Sequence, residues 1–563
     1  MSFSGKRYPY EWVLLTVLLS LSVLRVLYVL YGPLDLSADE ALYWDCTRRL
    51  ELSYYSKGPL IVYLMYASTA LFGTNVFAIR IMAVVIYFLS SVLLYKLVIA
   101  LYGDDSGNLA KNQAKNQDSY LGDKPAFCDQ PRNSKEQSIQ LIALVCVLTL
   151  QIIPLFATYA IVFTIDSPFV FFWILALYLF WRAITETPRG YGKGYGNWAL
   201  LGVAIGLGMQ AKYIMAMFMV CASAFILLTR YRPLLRTLKP YVAFVVSMIF
   251  FSPVIIWNMR HDWVTLRHTA GHAHLSDGLR IAPLSLFEFL GSQLGVVTPV
   301  LFVLILVALF RLRKDGSNGQ SRSLYSLGQG DFLFYFSVPV FCFFLLKSAQ
   351  GKVQANWAMT AYITGIIAFV RYFFYAEINE SPKIAGVHTK RTIVIGIIIA
   401  ILVTAVALFP QAVRLPLKLD PTARLRGWRG LGVEVGRLYD ELSETGKVLI
   451  FSDKYQITSA LAFYVDGNPI TYSINLGRRM NEYDMWPGIN KAAETIRKET
   501  TKPINGLFVT DGDTPMPTIV LDAFDRCDKQ LLDIYEDGRL LRQYSIFKCL
   551  GFTRLHDKTP QSY

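Results

Sequence analysis

The stretch Ile393–Phe409, IVIGIIIAILVTAVALF, contains no charged residue and nothing more polar than threonine. A helix of this length and character matches the hydrocarbon thickness of a bilayer. The whole chain is 54% hydrophobic and 17% charged, which is too apolar for a soluble core of this size. We therefore expect an all-α polytopic membrane protein with about eleven spanning helices. The apolar runs lie near residues 11–31, 76–101, 138–157, 167–184, 196–212, 213–230, 240–257, 288–310, 331–347, 356–376 and 393–411.

The distribution of Lys and Arg predicts the orientation of these spans. Basic residues concentrate in every second loop, including 230–239 and 311–330, and such loops face the cytoplasm. The first run lacks a small-residue cleavage site, so we interpret it as a retained span with a cytoplasmic N-terminus. An odd number of spans then places the C-terminal region on the side of the membrane opposite the cytoplasm. Orientation also explains the net charge of +14, so no nucleic-acid partner is expected.

The sequence divides into a transmembrane domain, residues 1–411, and a soluble domain, residues 412–563. In the second, the segments Lys447–Ser452, Gly506–Thr510 and Tyr544–Lys548 have strand character and alternate with helical segments, which predicts a small α/β fold. The seven cysteines include no CxxC pair. Cys527 and Cys549 could form a disulfide in an oxidising compartment, but their spacing alone does not decide this.

Two sets of carboxylates lie on the predicted outward face. Asp39 and Glu40 are adjacent in the long first loop, residues 32–75, whose apolar residues around Leu60–Leu71 predict a helix in the membrane interface. Either the pair is functional or it belongs to an ordinary solvated loop. Asp166 stands directly before the fourth span and Pro168, a position that by itself favours a helix cap over a functional carboxylate.

Outward cations are the complementary signal. Lys57 and Lys212 oppose the charge rule, so either they extend to lipid headgroups or they bind a phosphate. The loop 258–287 holds His261, His268, His272 and His274, where a metal site is conceivable, although a His-x-His pair without a third ligand is weak evidence.

Several motifs in this order resemble one family. They are Leu36–Trp44 (LSADEALYW), Tyr54–Leu60 (YYSKGPL), Ala78–Arg80, Asp166–Pro168, Gly206–Tyr213, Trp257–Val264 and Ala355–Trp357. The chain resembles the bacterial relatives of protein O-mannosyltransferases, GT-C glycosyltransferases that include the lipid A aminoarabinose transferase. The resemblance covers nearly the full length.

The resemblance implies transfer of a sugar from a polyprenyl-phosphate donor to an extracytoplasmic lipid, glycan or protein. It makes Asp39, Glu40 and Asp166 the candidate catalytic carboxylates, and Lys57, Lys212 and Arg267 the candidate ligands of the donor phosphate. His261, Tyr55 and His272 are candidate assisting residues. Ser56 stands where the aminoarabinose enzyme has a glutamate that binds metal, so a divalent metal ion is only a possible cofactor.

A secondary transporter with a periplasmic accessory domain is the competing function, and Arg25 within the first span is the feature that favours it. An inactive scaffold with the same fold is a third possibility. The sequence does not identify the sugar or the acceptor.

Overall fold

The computed structural model describes residues 9–103, 132–185, 194–272, 282–317, 328–378, 387–417, 420 and 422–560. Helices dominate up to residue 413, as the polytopic all-α prediction requires, and a small sheet domain follows. The helices of this first part are α1 Pro9–Tyr31, α2 Ala38–Thr47, α3 Leu60–Phe72, α4 Val76–Gly103, α5 Arg132–Ile152, α6 Pro154–Tyr159, α7 Asp166–Thr185, α8 Tyr195–Ala211, α9 Ala216–Leu228, α10 Lys239–Arg260, α11 Val264–His272, α12 Pro283–Val297, α13 Pro299–Ser317, α14 Gln329–Tyr335, α15 Val338–Ser348, α16 Ala361–Ile378, α17 Val387–Leu408 and α18 Pro410–Val413.

Helical structure lies at each of the eleven predicted positions, but the helices differ in length. Among the described residues, six helical stretches are long and apolar enough to cross a membrane, and α12 with α13 would make a seventh. The axes of α12 and α13 differ by 98°. The bend lies at Thr298, which has a φ of +79° and is followed by Pro299. The other predicted spans are shorter apolar helices or, for α8, a helix of 17 residues. An apolar run shows where a helix lies but not where it breaks.

The predicted interfacial helix of the first outward loop is α3. It buries Ile61, Val62 and Met65 and exposes Leu71 and Phe72. Its buried residues share an apolar cluster with α2 and the start of α4. The loop is therefore a folded cap on the helix bundle.

The C-terminal domain is a five-stranded mixed sheet with helices on both faces. The strand order is β2-β1-β3-β5-β4, with β1 parallel to β2 and β3, and β5 antiparallel to β3 and β4. One face packs against α19 and α20, the other against α21. The elements are α19 Trp428–Ser443, β1 Lys447–Ser452, α20 Tyr455–Tyr464, β2 Thr471–Ser473, α21 Ile489–Glu499, β3 Ile504–Asp511, α22 Thr518–Leu521, β4 Phe524–Glu536 and β5 Arg539–Phe552.

The α/β prediction is confirmed, with two strands added. Strand β2 has only three residues, and β4 is an edge strand with mostly exposed side chains, so neither carries a buried-strand pattern. Cys527 on β4 and Cys549 on β5 face each other in register and form the disulfide that spacing alone left open.

A buried ion pair fixes the first outward loop to the bundle. Glu40 is fully buried and accepts hydrogen bonds from Nε and Nη2 of Arg80, both at 2.9 Å, and from the amides of Ser37 and Phe163 at 2.8 and 3.0 Å. Arg80 is 1% exposed and also donates to the carbonyls of Leu34 and Asp35. Every charge in this network has a partner, as burial demands.

Replacement of Glu40 by Gln should destabilise the protein by about 3–5 kcal/mol, because it leaves the buried Arg80 guanidinium without a negative partner. The measurement is the unfolding midpoint of the purified protein in detergent. Asp39→Asn is the matched control, since this neighbouring carboxylate is 45% exposed and its loss should change stability by less than about 1 kcal/mol. Equal destabilisation by both variants would refute the structural role of Glu40.

Candidate active site

The start of α2 separates the two adjacent carboxylates. Ser37 caps the helix by accepting from the amide of Glu40, and Glu40 accepts in turn from the amide of Ser37. This capping box directs Glu40 inward to Arg80. Asp39, about 100° further round the helix, is left at the surface of the outward face.

Asp39 Oδ1 receives two donors. Lys57 Nζ lies 3.4 Å away, and the hydroxyl of Tyr455, from the C-terminal domain, also lies at 3.4 Å. Lys57 Nζ donates to the Tyr43 hydroxyl at 2.5 Å and stands 4.3 Å from the centre of that ring. Oδ2 of Asp39 accepts no hydrogen bond from the described part of the chain.

Asp166 forms the second carboxylate–lysine pair. Lys212 Nζ donates to Oδ1 at 2.6 Å and Asn356 Nδ2 donates to Oδ2 at 2.9 Å, and both charged side chains are nearly buried. Thr164 Oγ1 accepts from the amide of Asp166, so the polar cap of this helix comes from Thr164. The Asp166 carboxylate therefore forms a buried ion pair with Lys212 instead of the predicted helix cap.

Close backbone packing brings the two lysines to one place. A Cβ on Gly58 would lie 1.9 Å from the Gln210 carbonyl oxygen, so only glycine fits here. Lys57 precedes this contact, and Lys212 lies two residues beyond Gln210, in extended backbone where α8 ends.

Tyr43 lies between the two pairs. Burial raises the pKa of Tyr43 well above its usual range, and the negative charges of Asp39 and then Asp166 raise that pKa further. Burial likewise raises the pKa of Tyr159, with Asp166 and Asp39 adding to the rise. Both phenols therefore stay protonated at neutral pH and can donate hydrogen bonds.

The loop 258–287, the third loop of the predicted outward face, contacts the first loop, residues 32–75. Trp257 Nε1 donates to Glu51 at 2.7 Å, and His268 Nδ1 lies 3.1 Å from the Tyr55 hydroxyl. The His261 ring stacks on Trp257 at 4.0 Å, with Nδ1 2.8 Å from the Trp257 carbonyl oxygen. His261 thus belongs to the packing between the loops.

Arg267 is exposed on α11. The side chain of His272 and all of His274 lie outside the described residues, and so does the metal site that the sequence suggested at these histidines. Elsewhere in the described ranges, no group of three or more His, Cys, Asp or Glu side chains is placed to bind a metal ion.

The C-terminal domain docks on this region through hydrogen bonds to the first loop. Asp35 accepts from the amide of Trp428 at 2.9 Å, Asp45 accepts from the Tyr483 hydroxyl at 2.7 Å, and the Leu36 amide donates to the Tyr464 hydroxyl at 2.6 Å. The interface is therefore specific and largely polar at its edges.

Comparison with known proteins agrees with this geometry. Residues 56–111 and 135–257 match the family described as dolichyl-phosphate-mannose-protein mannosyltransferase. The lipid A galacturonosyltransferase RgtD of Rhizobium johnstonii is 27% identical over 403 residues, which are 71% of this chain and 72% of that protein. The chain is a membrane glycosyltransferase.

Two crystal structures of ArnT from Cupriavidus metallidurans share the fold of this glycosyltransferase. The apo structure has a TM-score of 0.56 at 12% identity, and it covers 95% of this chain and 98% of ArnT. The structure bound to undecaprenyl phosphate gives 0.56 at 13% identity, with 96% and 98% covered. The predicted GT-C fold is confirmed, and the chain is a multi-pass inner-membrane protein.

Sequence reasoning missed two residues of the glycosyltransferase site, Tyr455 and Glu482. Both lie in the C-terminal domain, more than 400 positions from their partners, so no local pattern in the sequence joins them. Glu482 is buried in a short turn, Glu482–Met485, and accepts from the Tyr55 amide at 2.9 Å. Burial raises the pKa of Glu482 to about 8; the nearby Glu51 charge adds to the rise, while the Tyr55 amide and Lys57 oppose it.

Glu482 makes docking of the C-terminal domain sensitive to pH. Since its folded-state pKa is raised above the usual 4.5, this group favours the folded state most below about pH 4.5 and loses that effect as pH rises through 8. Glu482→Gln should therefore raise the unfolding midpoint at pH 8.5 more than at pH 5.5. Thermal unfolding at both values checks this, with Glu441→Gln, an exposed carboxylate, as control. An equal effect at both pH values would contradict the assignment.

Proposed function

We propose that the protein moves a sugar from a polyprenyl-phosphate donor to a lipid acceptor outside the cytoplasm, with Asp39 as the base. The observation that carries the proposal is the arrangement around Asp39: Oδ1 accepts from Lys57 and Tyr455, while Oδ2 accepts no hydrogen bond from the described residues. A carboxylate held by one oxygen and open at the other is suited to accept a proton.

The reaction needs three events at one place. An acceptor hydroxyl oxygen attacks the anomeric carbon, its proton passes to Asp39 Oδ2, and the bond from the anomeric carbon to the phosphate oxygen breaks. The electron pair leaves with the polyprenyl phosphate. A single displacement of this kind inverts the anomeric configuration.

Cations must stabilise the leaving phosphate. Lys57 is next to Asp39, and Lys212 is held by Asp166, so we assign both ammonium groups to the phosphate. Asp166 then positions Lys212, with Asn356 holding its second oxygen. Glu40, with all its contacts made to Arg80 and backbone amides, is assigned to structure instead of catalysis.

The remaining candidate residues have structural contacts. We assign Tyr55 and His268 to holding the first and third outward loops together, since His268 Nδ1 lies 3.1 Å from the Tyr55 hydroxyl, and we assign His261 to supporting Trp257, on which it stacks. Arg267, exposed on α11, is assigned to attracting the anionic donor from the side of the third loop.

The acceptor and the orientation follow from separate arguments. RgtD is by name a lipid A galacturonosyltransferase and ArnT binds undecaprenyl phosphate; we extend a lipid acceptor and a polyprenyl-phosphate donor to this chain.

Three observations support a cytoplasmic N-terminus and a periplasmic domain. The C-terminal domain docks on the first loop, Cys527 and Cys549 form a disulfide, and the basic loops lie at the other end. We place the domain boundary near residues 411 and 412.

Asp39→Asn should lower kcat by about 10²- to 10⁴-fold, because an amide oxygen cannot serve as the base. The measurement is sugar transfer by purified protein in proteoliposomes that contain a polyprenyl-phosphate sugar and a lipid A acceptor, with product detected by mass spectrometry. Glu441→Gln, which removes an exposed carboxylate far along α19, should retain activity. A fully active Asp39→Asn protein would overturn the proposal.

Lys57→Gln should raise KM for the donor about tenfold, since a charge-assisted contact with phosphate is lost. Inhibition by added undecaprenyl phosphate should weaken by a similar factor. Lys57→Arg, which retains the charge, should restore most of the affinity. An unchanged KM and unchanged product inhibition in Lys57→Gln would remove Lys57 from the phosphate site.

A further inference from the structure

Arg25 is a charged residue on a helix that faces lipid. It lies six residues before Tyr31, the last residue of α1, so it is about 9 Å below the outer end of that helix. Its neighbours Leu24 and Leu27 are exposed on the outer surface of the bundle, and Arg25 itself is half-buried. A charge costs about 2.5–3.5 kcal/mol at the centre of a spanning helix and less towards its ends, unless it finds a partner.

The described protein partners of Arg25 are all neutral. Nη2 donates to Gln151 Oε1 at 2.7 Å, and the guanidinium stands 4.8 Å from the centre of the Tyr87 ring. Within the described ranges no carboxylate forms an ion pair with it. Of the five N–H groups of the guanidinium, one is thus used in a hydrogen bond.

The neutral partners are themselves fixed. Gln151 Nε2 donates to Ser91 Oγ at 2.9 Å, which directs the amide oxygen towards Arg25. Tyr87 donates from its hydroxyl to the Leu150 carbonyl at 3.0 Å. The guanidinium is therefore tied to α4 and α5 instead of extending along α1 to the membrane surface, as a snorkelling side chain would.

Arg25 is only partly buried, and the surfaces of α1 and α17 are mostly exposed. Both α1 and α17 contact α5, and the Tyr28 hydroxyl donates to the Leu408 carbonyl across the outer end of α17. Large apolar side chains on α17, such as Ile398 and Leu402, are exposed on the same helix that Tyr28 contacts. A lipid chain could lie along this surface while its headgroup reaches Arg25.

We propose that Arg25 binds the phosphate group of an anionic membrane lipid. The phosphate supplies the negative charge that the described protein neighbours lack, and a guanidinium with unused N–H groups binds phosphate oxygens in pairs. This site is distinct from the catalytic one: Tyr87 separates Arg25 from a small cavity whose lining includes Tyr159 and Ser167, next to Asp166.

The test compares retained lipid between variants of the full-length protein. Wild type, Arg25→Leu and Lys96→Leu are placed in phosphatidylcholine nanodiscs that contain either phosphatidylglycerol or undecaprenyl phosphate, and bound lipids are counted by native mass spectrometry. Lys96 is the matched control, because it is an exposed basic residue on α4 near the other end of the bundle.

We expect Arg25→Leu to retain about tenfold less of at least one phosphate lipid than wild type, and Lys96→Leu to retain as much as wild type. Loss of both lipids would identify a general phosphate site, and loss of undecaprenyl phosphate alone would identify the polyprenyl lipid as its occupant. Unchanged retention in Arg25→Leu, or equal loss in Lys96→Leu, would overturn the proposal.

A second measurement needs no variant. Phenylglyoxal modifies accessible arginine, so labelling of Arg25 in the wild-type protein can be followed by peptide mass spectrometry. Phosphatidylcholine also carries a phosphate, but its choline cancels the negative charge. Labelling in pure phosphatidylcholine that falls at least several-fold when an anionic phosphate lipid is added would support the site. Labelling that is insensitive to both added lipids would refute it.

Discussion

The pairing of Glu40 with Arg80 is the constraint on which the outward face depends. A fully buried carboxylate and a fully buried guanidinium satisfy each other and, through further hydrogen bonds, three backbone segments: the link from α1 to α2, the start of α2, and the chain before α7. Such a pair is costly to bury but more costly to break, so it fixes position more than it adds net stability. Because Glu40 is fixed inward, Asp39 has one orientation available, towards Lys57 and the C-terminal domain.

Close contacts between segments that are distant in sequence fix the positions of the other charged residues of the site in the same way. Gly58 against Gln210 brings the loop with Lys57 beside the residue after α8, and Asp166 holds Lys212 there. Asn356, from the segment before α16, closes the group. The site is thus built from the ends of helices held by a rigid bundle, which preserves geometry better than free loops would.

The sequence could indicate single residues whose type and position are unusual, but it could not indicate which distant residues fold together. Asp39, Lys57, Asp166 and Lys212 could be found because charged residues at the outward ends of apolar runs are expensive and thus conspicuous. Their pairing could not, since it depends on loop packing. The different environments of Asp39 and Glu40 depend on a capping box that only the start of α2 reveals. Strand β4 could not be predicted, because its side chains are mostly exposed and its sequence lacks the apolar pattern of a buried strand.

Tyr455 and Glu482 reach the candidate site from a domain that is synthesised after the helices. The ribosome completes Asp39, Lys57, Asp166 and Lys212, and the helices that carry them can insert, before residue 455 exists. The hydroxyl that donates to Asp39 arrives only when the C-terminal domain has folded onto the first loop. A partly made chain lacks that contact, so the candidate site becomes complete only after this domain has docked.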